Sequence, residues 1–193
     1  MYDWNQHGKS DMSESKIINV EIKARADELS TARKALQEEG ARFEGTDHQV
    51  DTYFCVEEGR LKLREGNIER SLIHYNRPDE EAPSSSHVSL MRLDSRDDCR
   101  ALREVLGAAL GVLVTVEKER EIYYLGNIKI HLDTVEGLGT FVEIEAAGEA
   151  EVADEAELQN QCEQTMQLLK VADKDLVATS YSDMLIPQKK VDG

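Results

Sequence analysis

An α+β fold is predicted, an eight-stranded antiparallel β-barrel with a charged interior and helices packed on its outside. Three observations predict it. About eight strand-like runs are present, and four of them, "NVEIK", "RLKLR", "KIHLD" and "FVEIE", set an apolar face against an ionisable one at period two, the signature of strands with one face buried. Amphipathic stretches at helical period lie between and after them, enough to cover a sheet. The ionisable faces are also sorted by sign: "RLKLR" (60–64) is purely cationic, and "FVEIE" (141–145) is purely anionic. The competing arrangement is an open sheet with helices on its apolar face and water on its charged one. Solvated faces usually mix signs. Sorted rows favour a cylinder whose apolar faces turn outward and whose closure removes exposed edges.

The elements follow in order. Residues 1–15 are polar and unpatterned and read as a disordered leader; 16–186 form the domain; 187–193 form a flexible tail. In "KIINVEIKAR", Ile18, Val20 and Ile22 share one face, with Asn19, Glu21 and Lys23 on the other. "ADELSTARKALQEEGA" places Leu29, Ala32 and Leu36 on a helical stripe, with Gly40 as its stop. Segments 41–48 and 50–56 are expected as two strands around a bend. "RLKLRE" and "RSLIHYNR" form a hairpin across "GNIE", and "PDEEAPSSSH" is a loop. A short strand, "HVSLMRL", precedes a helix over 95–111 that Ser95 caps, with Asp98 three residues on and Cys99, Leu102, Leu106 and Leu110 as its stripe. Three strands follow, "VLVTVEKEREIYYL", "IKIHLDTV" and "TFVEIEA". The segment "EKERE" is charged on both faces, so period alone leaves its orientation open. A helix over about 155–169 presents Leu158, Cys162, Met166 and Leu169, and a last short helix is expected to hold Leu176, Tyr181 and Leu185.

Composition narrows the function. The 193 residues carry 39 acidic against 23 basic side chains, a net charge of −16. That field disfavours nucleic acid and anionic membranes as partners. Any anionic ligand must meet a local cluster of Lys and Arg. Three scattered cysteines, with no CxxC, argue against a disulfide framework or zinc knuckle and suit a reducing compartment. With no signal-like or membrane-spanning run, the expected location is the cytoplasm.

The sorted rows point to a bipolar site. Arg grips phosphate with a planar fork and Lys acts as a point charge. Hard divalent ions take carboxylate oxygens together with substrate phosphates. Lys62, Arg64, Glu143 and Glu145 are the leading candidates on this ground. Asp133 sits at a strand end, where turn chemistry alone could explain it. His131 is read as a structural hydrogen-bonder and Tyr75 as packing.

The ordered set "NVEIKA", "DTYF", "GRLKLRE", "YNRPD", "EKERE", "IHLDTVEGLGTFVEIE" and "SYSDML" resembles the CYTH family, the triphosphate tunnel metalloenzymes, over roughly residues 17–186. The resemblance implies an eight-stranded tunnel acting on small-molecule triphosphates with Mg²⁺ or Mn²⁺. The family's ExExK motif stands here as Asn19-x-Glu21-x-Lys23, with an amide in place of the first acid. By resemblance, Arg60, Lys62, Arg64, Arg77, Lys118 and Arg120, with Lys23, hold the triphosphate. Lys23, Lys118 and Arg120 stand closest to catalysis. Glu143 and Glu145 bind metal, assisted by Glu21 and Asp133, and Glu136 is a weaker candidate. The leading expectation is a metal-dependent triphosphatase. The alternatives are a class IV adenylyl cyclase making 3′,5′-cyclic AMP and pyrophosphate, and a non-catalytic nucleotide- or polyphosphate-binding module, the last motivated by Asn19. A barrel carrying an apolar ligand would need every strand flipped by one residue. A monomer or homodimer is expected.

Overall fold

The structure, a computed structural model, describes residues 17–75, 88–149 and 154–189. The strands are β1 (Ile17–Arg25), β2 (Arg42–Phe54), β3 (Arg60–Glu65), β4 (Arg70–Tyr75), β5 (Val88–Arg92), β6 (Val112–Leu125), β7 (Ile128–Val135) and β8 (Gly139–Glu149). The helices are α1 (Leu29–Glu38), α2 (Arg96–Leu110), α3 (Glu155–Leu168) and α4 (Tyr181–Lys189). All eight strands join one sheet in the order β1-β8-β7-β6-β2-β3-β4-β5, every neighbouring pair antiparallel. Among the described residues no ladder joins β1 to β5, so the sheet is a curled half-barrel. The loop predicted over 78–87, together with Arg77 and the leader, lies outside the described residues.

The apolar faces turn outward, as alternation predicts. Val20, Ile130, Leu132, Val142 and Ile144 pack beneath α1 and α3, joined by Leu29, Leu36, Leu158, Cys162 and Met166. Leu61, Leu63 and Leu72 pack separately beneath α2 with Phe54, Cys99, Leu102 and Leu106. Leu61 therefore never meets Ile130 or Ile144. Burying one such Leu or Ile contributes roughly 1.5–3 kcal/mol, whereas burying an ion costs several. A third apolar cluster, Tyr53, Val114, Val116, Val135, Phe141 and Tyr181, lies on the ionisable face itself, against Met184, Leu185 and Ile186 of α4. Stability thus comes from the helix-covered outside and from this inner patch, and the charges draw on both.

Three local expectations need correction. The two strands expected over 41–56 are one continuous β2. No bend falls at residue 49, since the ladder to β6 runs in continuous register through His48, Gln49 and Val50; an irregularity lies earlier, between Phe43 and Gly45, where Gly45 takes φ 148, a conformation glycine adopts freely. Leu176 is not in the last helix; it pairs with Ala24 as an isolated antiparallel bridge. At the far end of α2's stripe, Leu110 is exposed. The capping reading holds, since the Ser95 side chain accepts the Asp98 backbone N–H at 3.0 Å.

Candidate functional site

The ionisable faces of the strands form the concave side of the half-barrel. Register shows it directly. Lys62 and Arg64 stand opposite Tyr53 and Asp51, Lys118 opposite Gln49, and Arg120 opposite Asp47 and Asp133. Asp133 in turn faces Phe141, His131 faces Glu143, and Lys129 faces Glu145. On the far side Glu143 faces Lys23 and Glu145 faces Glu21. The orientation of "EKERE" is settled by the same ladders. Lys118 and Arg120 point inward and are buried, while Glu117 and Glu119 are exposed on the outside.

The signs are sorted along each strand but paired across strands. Asp51, 2% exposed, accepts from three cations at once. Arg64 Nε and Nη2 each donate at 2.9 Å, Lys118 Nζ at 3.0 Å and Lys62 Nζ at 3.4 Å. Burial alone would raise the Asp51 carboxyl; Arg64, Lys118 and Lys62 overturn that and hold it well below the usual carboxylate range. Burial, with Arg64 and Arg120 nearby, brings the Lys118 ammonium down to about 8 despite Asp51.

Glu69 plays a second bridging role. It accepts from Arg64 at 3.0 Å on β3 and from Lys129 at 2.7 Å on β7, and so ties the curled sheet together across its hollow. Its turn is built on fully buried Asp47, which accepts the backbone N–H groups of Asn67, Ile68 and Glu69. Only glycine fits at Gly66, because a Cβ there would lie 2.4 Å from the Glu69 carbonyl oxygen. At another edge of the hollow, Arg60 donates to Ser180 and Ser182 and pairs with Asp183 at the start of α4. Tyr181 donates its hydroxyl to Asp133 at 2.9 Å, and the Lys23 ammonium sits 4.5 Å over its ring.

The carboxylate end of the face gathers on β1, β7 and β8. Arg120 donates to Asp133 through Nε at 2.7 Å and also to Glu143. Lys23 pairs with Glu143 at 3.1 Å and lies 4.0 Å from Glu21. Burial would raise Glu143; Arg120 and Lys23 hold it well below its ordinary value. His131 is not the hydrogen-bonder the sequence suggests, since neither ring nitrogen has a hydrogen-bond partner. Burial, with Arg120 nearby, pushes its pKa down and keeps the ring neutral. One oxygen each of Glu143 and Glu145 and one His131 nitrogen lie within 4.8 Å of one another, a donor set that fits a divalent cation.

The structure thus brings Lys23, Arg60, Lys62, Arg64, Lys118, Arg120, Glu21, Asp133, Glu143 and Glu145 onto one face. Arg77 lies outside the described residues. Asp133 is fully buried within this face, so a turn role does not account for it, and Glu136 is exposed at the β7–β8 turn. Asp51, Glu69, Lys129 and Tyr181 were not singled out from sequence. For Asp51 a signal existed: Gln49, Asp51 and Tyr53 alternate with Val50, Thr52 and Phe54 in "QVDTYF". Glu69 sits in a turn, where period-two reasoning has nothing to read.

An antiparallel half-barrel with an apolar, helix-covered outside and an ion-lined hollow defines a tunnel-type α+β protein. The chain belongs to the CYTH domain family, whose model matches residues 18–181. It is 25% identical over 181 residues to the "Putative adenylate cyclase" of Methanocaldococcus jannaschii, spanning 87% of this chain and 98% of that protein. A Pyrococcus horikoshii protein of known structure shares the fold, with TM-score 0.72 and 22% identity over 86% of this chain and 98% of that one. So does a "putative adenylyl cyclase" from Hippeastrum described as revealing a dominant triphosphatase activity, with TM-score 0.57 and 18% identity over 89% of this chain and 96% of that one. Among the described residues no helix is long and apolar enough to cross a membrane.

Proposed function

We propose that this protein is a metal-dependent triphosphatase whose hollow holds a small-molecule triphosphate in an extended pose. One observation carries the reading: Lys62, Arg64 and Lys118 converge on the single carboxylate of Asp51. Three cations held together in a hollow, against a net charge of −16, form a preorganised anion cradle. Membership of a family whose enzymes act on triphosphates supports it.

In this reading Arg60, Lys62, Arg64 and Lys118 bind the phosphate oxygens, with Arg77 as a further contact. Arg120 and Lys23 link the cradle to the acidic corner and meet charge that develops on the transferring phosphoryl group. Glu143 and Glu145, with Glu21 and Asp133 near them, would hold Mg²⁺ or Mn²⁺. Such a cation neutralises phosphate charge and polarises a phosphoryl oxygen when bound. Catalysis is then mainly positioning and electrostatic stabilisation by groups already in place.

Cyclisation of ATP is the second reading, favoured by the name of the Methanocaldococcus relative. The test is release of phosphate, pyrophosphate and cyclic AMP from inorganic triphosphate, thiamine triphosphate and ATP with Mg²⁺ or Mn²⁺. Phosphate release that Lys62→Ala reduces by 30-fold or more (about 2 kcal/mol or above for a desolvated contact) is expected. Cyclic AMP and pyrophosphate as the main products would replace hydrolysis with cyclisation. Folded protein with no product but with thermal stabilisation by triphosphate would leave a binding module.

A further inference from the structure

His131 lies on β7 facing the hollow and is 1% exposed. Both its ring nitrogens lack a hydrogen-bond partner, although Arg120, Glu143, Lys129 and Lys23 around it are each hydrogen-bonded or ion-paired. Buried polar atoms are nearly always satisfied, so an orphaned imidazole aimed at acids asks for an explanation. Its Nδ1 stands 3.5 Å from Glu143 Oε2 and 3.5 Å from Glu145 Oε1. That is too long for a good hydrogen bond to either. It is close to the spacing of about 3.4 Å between ligands that share a tetrahedral cation through bonds of about 2.1 Å.

A second observation points the same way. Glu145 stands directly opposite Glu21 across the β1–β8 ladder. Like charges in that position repel, and a dication beside them removes the cost. Lys23 and Arg120 already engage Glu143, and Lys129 neighbours Glu145. Glu143 must therefore share its oxygens.

We propose that His131 is a third protein ligand, completing a mixed nitrogen and oxygen cation site with Glu143 and Glu145. The inference rests on the reading of those two carboxylates as metal-holding. It adds a specificity: the imidazole biases the site toward Mn²⁺, Co²⁺ or Zn²⁺ and away from Mg²⁺. Imidazole suits borderline transition metals, whereas Mg²⁺ takes oxygen ligands and keeps its waters.

The experiment needs no turnover. Mg²⁺, Mn²⁺ and Zn²⁺ are titrated by calorimetry into the full chain without triphosphate, and bound Mn²⁺ is examined by pulsed EPR. Wild type is expected to bind Mn²⁺ and Zn²⁺ at least tenfold tighter than Mg²⁺ and to show ¹⁴N coupling from a directly bound imidazole. His131→Asn should lose that coupling and tenfold or more in Zn²⁺ and Mn²⁺ affinity, with Mg²⁺ affinity changed less than threefold. Glu145→Gln, which leaves the ring in place, should weaken all three. Saturable Mn²⁺ binding without ¹⁴N coupling, coupling that survives in His131→Asn, equal losses for all three metals in that variant, or no saturable binding by wild type would each overturn the proposal. A protein with the nitrogen coupling and no triphosphate turnover refutes the function proposed above and leaves this site standing. Turnover without nitrogen coupling does the reverse.

Discussion

Replacing Asp51 with Asn should make the protein less stable and a better triphosphate binder. Arg64, Lys118 and Lys62 donate to this carboxylate at 2.9, 3.0 and 3.4 Å. Each such pair is worth about 4 kcal/mol at 4 Å between charge centres and an effective dielectric constant of 20. Desolvation of the ions offsets most of that sum. Removing one member of a buried charge cluster nonetheless costs about 3–5 kcal/mol, because the remaining charges are stranded. At about 2–4 °C per kcal/mol for a domain of this size, the melting temperature should fall by about 6–20 °C. The same vacancy removes the anion that competes with phosphate for the three cations. Tripolyphosphate should therefore bind D51N at least tenfold tighter than wild type and raise its melting temperature by more. Calorimetric titration and thermal melts with and without tripolyphosphate measure both. A melting temperature within 2 °C of wild type, or weaker tripolyphosphate binding, would refute the argument that Asp51 is a resident anion in the cradle.

Leu63→Ala, on the outward face beneath α2, should cost about 2–5 kcal/mol through cavity formation while leaving the tripolyphosphate affinity of the folded protein unchanged; denaturant melts and titration separate the two. Tyr181→Phe removes the hydroxyl donated to Asp133 and should destabilise by about 1.5–3 kcal/mol, the range for a hydrogen bond to a charged group; an unchanged denaturation midpoint would remove α4 from the hollow's support. The Lys118 ammonium, lowered to about 8, is charged below that pH and neutral above it, so kcat/KM for a triphosphate should fall as pH rises through about 8 in the free enzyme. Asp51, Glu69 and Glu143 have folded values below their unfolded ones, so their contribution to stability is present above about pH 4 and drains away on acidification through the folded values. Melts from pH 7 to pH 2 should show that loss, and a flat profile would contradict it.

Much of this architecture was legible in alternation. Leu61 and Leu63 against Lys62 and Arg64, and Ile144 against Glu143 and Glu145, told inside from outside because a strand's side chains switch face at every residue. The leading candidates for binding came from the same signal, and the motif order carried the family. Alternation failed at "EKERE", where both faces are charged. Only the ladders to β2 and β7 turned Lys118 and Arg120 inward. It also missed the continuity of β2, which only the unbroken ladder to β6 through His48, Gln49 and Val50 reveals. What tertiary structure alone decided was who pairs with whom. Asp51 beneath three cations, Glu69 reaching from a turn to Lys129, and His131 left without a partner between two acids are contacts across strands far apart in sequence. Period-two patterning assigns a face to each side chain, but the curl and register of the whole sheet choose its neighbours, and the neighbours set the charge state and the chemistry.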